Sequence, residues 1–281
     1  MVPQRALGAT GLTIPAMGFG VSGPLGAPIT SGKLTKRLVD LCLEGGAGLF
    51  DTAPFYGAAE QRLGSALDGV ARDRYTLISK VGTRRGAGGW IKDFTASSIQ
   101  LSLDNSLRSL RTDHIDILLL HGPPIGGPQQ DAIAVLEDAK KAGKIRVVGI
   151  CGRGHEIETA LAHPTIEVIQ APVWVGGWAQ RAAEAGRGFL AIEVLRAGVD
   201  GFRAPRGAVD LWYMARLLHH GGVGALLRQA PGRQQAARTL LRKAMSRTGV
   251  SAAIITTARP AHLSANLRAA TETLDGAAGA P

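Results

Sequence analysis

Short apolar runs alternate with amphipathic stretches along the chain. The runs at Ala16–Gly20, Gly48–Thr52, Tyr75–Val81, Ile115–His121, Ile145–Ile150, Val168–Pro172, Gly188–Leu195 and Ala252–Thr257 read as strands. Between them, apolar residues recur at spacings of three and four, as in Ile99, Leu103, Leu107 and Leu110. That period predicts helices over Ser31–Glu44, Ala58–Leu67, Thr95–Leu110, Pro128–Ala142, His155–Leu161, Ala179–Ala185, Gln234–Arg247 and Pro260–Thr273. Ile117-Leu118-Leu119-Leu120 is apolar on both faces, as a strand buried on both sides of a parallel sheet must be. Ahead of these units, Leu7–Pro15 turns around Ala9-Thr10-Gly11 and reads as a hairpin.

Eight strand-then-helix units predict an α/β fold, a closed (β/α)8 TIM barrel with an N-terminal β-hairpin. An open doubly wound sheet should carry GxGxxG after its first strand, and no such segment is present. The 281 residues, 45% of them hydrophobic, suffice for one core, so residues 1–281 are expected to form a single domain. The stretch 196–233, rich in Gly, Arg and Pro, reads as an irregular excursion with a short helical piece around Asp210–Leu218. It would lie at the mouth where barrel loops act.

The formal net charge of +10 raises nucleic-acid binding as a reading. Between Arg196 and Arg247 stand ten Arg or Lys and only the acids Asp200 and Asp210. No recognised nucleic-acid motif accompanies the charge, and an anionic dinucleotide would equally satisfy it. No run of about 18 apolar residues is present and the N-terminus has no apolar signal core, so neither a membrane span nor export is expected. Cys42 and Cys151 make no disulfide framework and no CxxC pair suggests a metal, so a cytoplasmic setting is the expectation.

Residues at the C-terminal ends of barrel strands converge on one mouth. Asp51 ends the second predicted strand, Tyr56 follows it by five residues, Lys80 closes the third and His121 the fourth. A partly buried ammonium at Lys80 needs a carboxylate, which Asp51 can supply. A cation beside Tyr56 is expected to lower the phenol pKa and make it a usable acid near neutral pH. His121 can orient a substrate oxygen. Taken singly, Asp51 could cap a turn, Tyr56 could pack and His121 could be a core histidine; the joint placement favours chemistry.

The sequence resembles the aldo-keto reductases. The resemblance rests on Asp51-Thr52-Ala53-Pro54-Phe55-Tyr56-Gly57 with Glu60 and Leu63-Gly64 after it. Leu7-Gly8-Ala9-Thr10-Gly11-Leu12, Met17-Gly18-Phe19-Gly20, Ser106–Asp116 and Gly143-Lys144-Ile145-Arg146 add to it. It implies hydride transfer between a nicotinamide and a carbonyl or alcohol substrate such as an aldehyde, ketone or sugar. Tyr56 would be general acid or base, tuned by Lys80 and Asp51, with His121 positioning the substrate. For the cofactor it implies Gln170, and Cys151-Gly152 where the family usually has Ser-Asn. It also implies a pyrophosphate loop at Leu195, Arg196 and Gly198, and an adenosine end at Thr257, Arg259, His262 and Asn266. Ile192 replaces a common aromatic residue, and Gly122 stands where many members have Trp. Phe55, Trp90 and Trp174 would line the substrate pocket. Arg259 or His262 could meet a 2′-phosphate, which favours NADP slightly over NAD. The alternative is a catalytically weak, nucleotide-binding regulatory barrel similar to potassium-channel β subunits. Oligomeric state has no signature in the sequence.

Overall fold

Leu7 and Ile14 flank the turn of an N-terminal hairpin, and both are wholly buried. They belong to the same apolar cluster as Leu49, Ile78, Ile117, Leu119, Val147, Val168 and Leu190. The hairpin, β1 (Gln4–Ala6) and β2 (Thr13–Pro15), therefore plugs one end of a barrel whose lumen is filled by side chains. The paired strands lie at the outer edges of the predicted turn region, because Leu7 and Leu12 are drawn into the turn by the Leu7 N–H donating to Leu12 O. The computed structural model describes residues 1–86, 89–124, 130–195, 207–221 and 233–272.

The barrel strands and their helices follow in order. They are β3 (Met17–Gly20), α1 (Gly32–Glu44), β4 (Leu49–Asp51), α2 (Ala59–Ala66) and β5 (Thr76–Val81). A two-stranded ribbon, β6 (Thr83–Gly86) and β7 (Gly89–Lys92), precedes α3 (Ala96–Leu110) and β8 (Ile115–His121). Then come α4 (Gln130–Lys141), β9 (Ile145–Cys151), α5 (His155–Ala162), β10 (Val168–Pro172), α6 (Trp178–Glu184) and β11 (Gly188–Ile192). Helices α7 (Ala208–Gly221) and α8 (Arg233–Met245), strand β12 (Ala252–Ile255) and α9 (Pro260–Glu272) are the last elements among the described residues. Eight strands close in the order β10-β11-β12-β3-β4-β5-β8-β9, each pair parallel. The predicted (β/α)8 barrel is what forms.

All eight predicted strands occur. The seventh stops at Ile192 rather than Leu195, where Glu193 turns into the left-handed region at φ 54°. The ribbon β6–β7 was not expected from the pattern, because its strands are short and β7 is exposed along its whole length, leaving no apolar alternation to read. The helix α7 extends beyond the predicted Asp210–Leu218 at both ends.

Strand parity builds the site. Side chains alternate between the lumen and the helix layer. Leu49, Ile78, Ile117, Leu119, Val147, Val168 and Leu190 point into the lumen, whereas Phe50, Leu77, Leu118, Val148, Ile169 and Phe189 face the helices. Two residues beyond the last luminal apolar layer stand Asp51, Lys80, His121, Gln170 and Ile192, on the same parity. The lumen thus ends in a polar layer at the C-terminal mouth, supported from below by a dry core.

Candidate active site

Lys80 lies in that layer with 1% of its surface exposed, and its Nζ donates to Asp51 Oδ1 at 2.6 Å and to the Thr52 carbonyl at 2.9 Å. Asp51, 5% exposed, also accepts a hydrogen bond from Gln170 Nε2 at 3.0 Å. β4 and β10 lie four strands apart in the eight-strand ring, so this bond crosses the lumen from wall to wall. Carboxylate, ammonium and amide together close the top of the barrel interior.

Tyr56 sits at the end of a 3-10 turn, Pro54–Tyr56, that follows β4. The turn is held from behind by close backbone packing. A Cβ on Gly26 would lie 1.6 Å from the Tyr56 carbonyl oxygen, and one on Gly57 would lie 2.6 Å from the Gly26 oxygen. Gly57 also has φ 67°, a conformation that favours glycine. With both side chains absent, the Tyr56 ring comes to rest with its centroid 5.2 Å from Lys80 Nζ. The His121 ring stands edge-on to it at 6.0 Å. Phe55 meets both rings edge-on at 6.1 Å and lies against Trp90 at 4.0 Å. Trp90, 70% exposed on β7, therefore covers Phe55 from the solvent side. Thr83 of β6 donates to the His121 carbonyl at 2.6 Å and ties the ribbon to the strand bearing the imidazole.

The electrostatics follow from burial first. Burial, the largest single effect, would drive Lys80 towards the neutral amine, but the charge and hydrogen bond of Asp51 together with Tyr56 and Cys151 outweigh it, and the lysine pKa is raised. Tyr56 is pushed up to about 12 by burial; Lys80 pulls it down and Asp51 pushes it up. The expected lowering of the phenol pKa is therefore corrected. Asp51 offsets part of the lysine's field, and the pull that remains is outweighed by desolvation of the phenol. His121 is held down at about 3, by burial and then by repulsion from Lys80, Arg153 and Lys92. Near neutral pH both phenol and imidazole are uncharged. Among the described residues, the buried His121 Nδ1 has no hydrogen-bond partner.

The remaining expected residues divide into those that converge and those that do not. Cys151, buried on β9, pairs in register with His121 on one side and Gln170 on the other, and burial raises its thiol to about 11. Gln170 commits one N–H to Asp51, leaving its carbonyl oxygen and second N–H. Trp174 turns away: its Nε1 donates to Val194 O at 3.1 Å, so it braces the loop after β10. Leu195 packs against the core beside it. Thr257, Arg259, His262 and Asn266 gather at the end of β12 and the start of α9, on the β12 side of the mouth. Arg196 and Gly198 lie outside the described residues.

Several contacts at the mouth were not read from the sequence. Arg153, just past β9, donates from Nε to Glu193 at 2.9 Å, joining the ends of β9 and β11. Glu60 of α2, buried, accepts from Ser79 Oγ at 2.6 Å and feels the charge of Lys80. Asp210 of α7 forms an ion pair with Arg259. None of these has a local motif; each joins residues at least 19 positions apart. Only Glu60 carried a signal, as an acid in the segment after Tyr56.

The arrangement fits a nicotinamide amide at Cys151 and Gln170. Gln170 keeps a donor and an acceptor there, and the unpartnered His121 nitrogen faces the same layer. It brings a neutral phenol, an ammonium and a neutral imidazole to one point, a set able to bind and protonate a carbonyl oxygen.

L-galactose dehydrogenase of Arabidopsis thaliana is 36% identical over 168 residues, 56% of this chain and 51% of that protein. An NADH-specific methylglyoxal reductase of Escherichia coli is 31% identical over 185 residues, 59% of this chain and 57% of that protein. The chain thus spans about half the length of the curated relatives it matches. Among solved structures, an aldo-keto reductase from Bacillus halodurans in its holo form superposes with a TM-score of 0.74. It is 28% identical, covering 96% of this chain and 91% of that one. Residues 16–180 match the profile of the Aldo/keto reductase family, and with the barrel and the clustered side chains on its mouth, the chain belongs to that family.

Proposed function

We propose that the chain is an NAD(P)-dependent oxidoreductase acting on a small carbonyl or alcohol substrate. The observation that carries this reading is the buried Lys80–Asp51 pair with the Tyr56 ring over the ammonium and the His121 ring edge-on to the phenol. A bound nicotinamide dinucleotide would supply or accept the hydride. Cys151 and Gln170 would hold its amide, and Thr257, Arg259, His262 and Asn266 would meet its adenosine end.

The chain's own residues supply the rest. Tyr56 gives its phenolic proton to the carbonyl oxygen, as a group that stays protonated at neutral pH must act first as an acid. Lys80 stabilises the phenolate left behind, and Asp51 fixes the lysine in reach. His121, neutral, donates to the same oxygen and sets its position. Phe55, shielded by Trp90, forms an apolar wall beside the reacting oxygen, and Gly122 leaves room next to His121. The names of the relatives, one acting on a sugar and one on a ketoaldehyde, support small polar carbonyls and their alcohols as substrates.

The test is Tyr56→Phe. Nucleotide binding, read by nicotinamide fluorescence, is expected to stay within about twofold, while turnover on a panel of aldehydes and sugars falls about 10²–10⁴-fold. Retained turnover rules out Tyr56 as the proton donor. Absence of nucleotide binding by the unaltered chain removes the oxidoreductase reading altogether.

A further inference from the structure

The mouth residue expected to recognise a nucleotide phosphate, Arg259, is already held by a carboxylate of this chain. Arg259 stands between β12 and α9, and its guanidinium forms an ion pair with Asp210 in the first turn of α7. One turn further on, the Tyr213 ring centroid lies 5.9 Å from the same guanidinium. The pair is partly sheltered, with Asp210 14% and Arg259 29% exposed in their side chains. The helix is anchored there by an independent contact. Trp212 packs over the loop after β3, where a Cβ on Gly23 would lie 3.1 Å from the indole. Val209 packs on the main core. Asp210 is thus fixed beside Arg259 by neighbours on both sides.

We infer that Asp210 determines nucleotide preference and makes the site favour NAD(H) over NADP(H). The inference rests on the nucleotide-binding reading above and narrows it. A 2′-phosphate carries about −1.5 to −2 charges at neutral pH and needs an uncompensated cation. With Asp210 attached, the guanidinium charge of Arg259 already faces a carboxylate of this chain. The phosphate must expel the carboxylate from the guanidinium or lie against it, and like charges at contact are costly. A ribose 2′-hydroxyl has the opposite requirement. It can donate, and a carboxylate oxygen held beside the ribose accepts its hydrogen bond; this is how an acidic side chain selects an unphosphorylated ribose in other dinucleotide sites. The ion pair reverses the slight preference for NADP that Arg259 suggests when read alone in the sequence.

The experiment is a set of fluorescence titrations of the full chain with NADH and NADPH. The unaltered protein is expected to bind NADH at least about tenfold more tightly, the equivalent of one charge-assisted hydrogen bond. Asp210→Asn and Asp210→Ser should each weaken NADH modestly and tighten NADPH, moving the ratio at least about tenfold towards NADPH. Adding Arg259→Gln to Asp210→Asn should abolish the gain in NADPH affinity. Two Asp210 variants are used so that one with an unaltered circular dichroism spectrum is available. The inference is overturned if the unaltered protein binds NADPH as tightly as NADH, or if the ratio is unchanged in a folded variant. Binding of neither nucleotide overturns the nucleotide-binding reading and this inference with it, a result distinct from binding of both without preference.

Discussion

Replacing Asp51 by Asn leaves the shape of the polar layer intact and removes one charge. Lys80 is then an ammonium with 1% exposure whose remaining charge-compensating contacts are neutral: the Thr52 carbonyl at 2.9 Å and the new amide oxygen. Breaking a buried pair by removing one partner costs about 3–5 kcal/mol, since the other charge is stranded without solvent. For a chain of 281 residues, at roughly 2.1 cal/mol/K per residue, the unfolding entropy is about 590 cal/mol/K, so Tm should fall by about 5–9 °C. The double variant Asp51→Asn with Lys80→Met carries no buried charge at this point and should recover most of the loss, because two neutral groups need no mutual compensation. The assay is a double-mutant cycle by urea denaturation at pH 7, with a coupling energy of about 2 kcal/mol or more expected. If the single variants each cost under about 1 kcal/mol, or if their losses simply add, the pair is not the electrostatic keystone of the mouth.

Other perturbations report on separate parts of the structure. Gly26→Ala drives a methyl group into the Tyr56 carbonyl, 1.6 Å away in the present packing. It should lower turnover at least about tenfold through displacement of the phenol, measured as kcat, and unchanged kcat would show that the turn relaxes freely. His121 is held neutral with its pKa at about 3, below the ordinary value near 6.5. At pH 5 the unfolded chain therefore takes up a proton that the folded chain refuses, and stability falls as pH drops from about 6.5 towards 3. Between pH 7 and pH 5 this residue should account for about 2 kcal/mol, so the unfolding free energy of His121→Gln should lose that much less than the unaltered protein; equal losses would contradict the burial argument. Lys80 and Tyr56, both raised, act on the other side. Their contribution is complete below about pH 10 and should vanish as pH rises through the folded values, visible as a steep alkaline unfolding limb that Tyr56→Phe makes shallower. Asp116, buried at the start of β8, accepts from Arg72 at 2.6 Å, Arg146 at 3.0 Å and the Leu77 N–H at 2.8 Å. Asp116→Ala should cost about 2–4 kcal/mol in denaturation while leaving nucleotide affinity unaltered, since it lies at the barrel end opposite the mouth.

The barrel was readable from the chain because its elements are local and periodic. Eight apolar runs separated by helical patterns leave few alternatives, and the period of two within each run carries Asp51, Lys80, His121 and Gln170 to the luminal parity above Leu49, Ile78, Leu119 and Val168. The segment after β4, with Phe55, Tyr56, Gly57 and Glu60, was legible for the same reason: its parts are close in sequence.

What the sequence left open depends on distances between residues far apart in the chain. The Gln170 bond to Asp51 spans 119 positions and the width of the barrel, and no pattern along the chain foretells it. The direction of the Tyr56 shift turned on how far the phenol is desolvated, against the opposing pull of Lys80. Arg259 in the sequence is a free cation after the last strand; in the fold it is an arginine with a carboxylate already attached. Secondary structure follows from the order of side chains along a few turns or strands, whereas charge balance is a sum over space, and only the closed barrel fixes which charges share it.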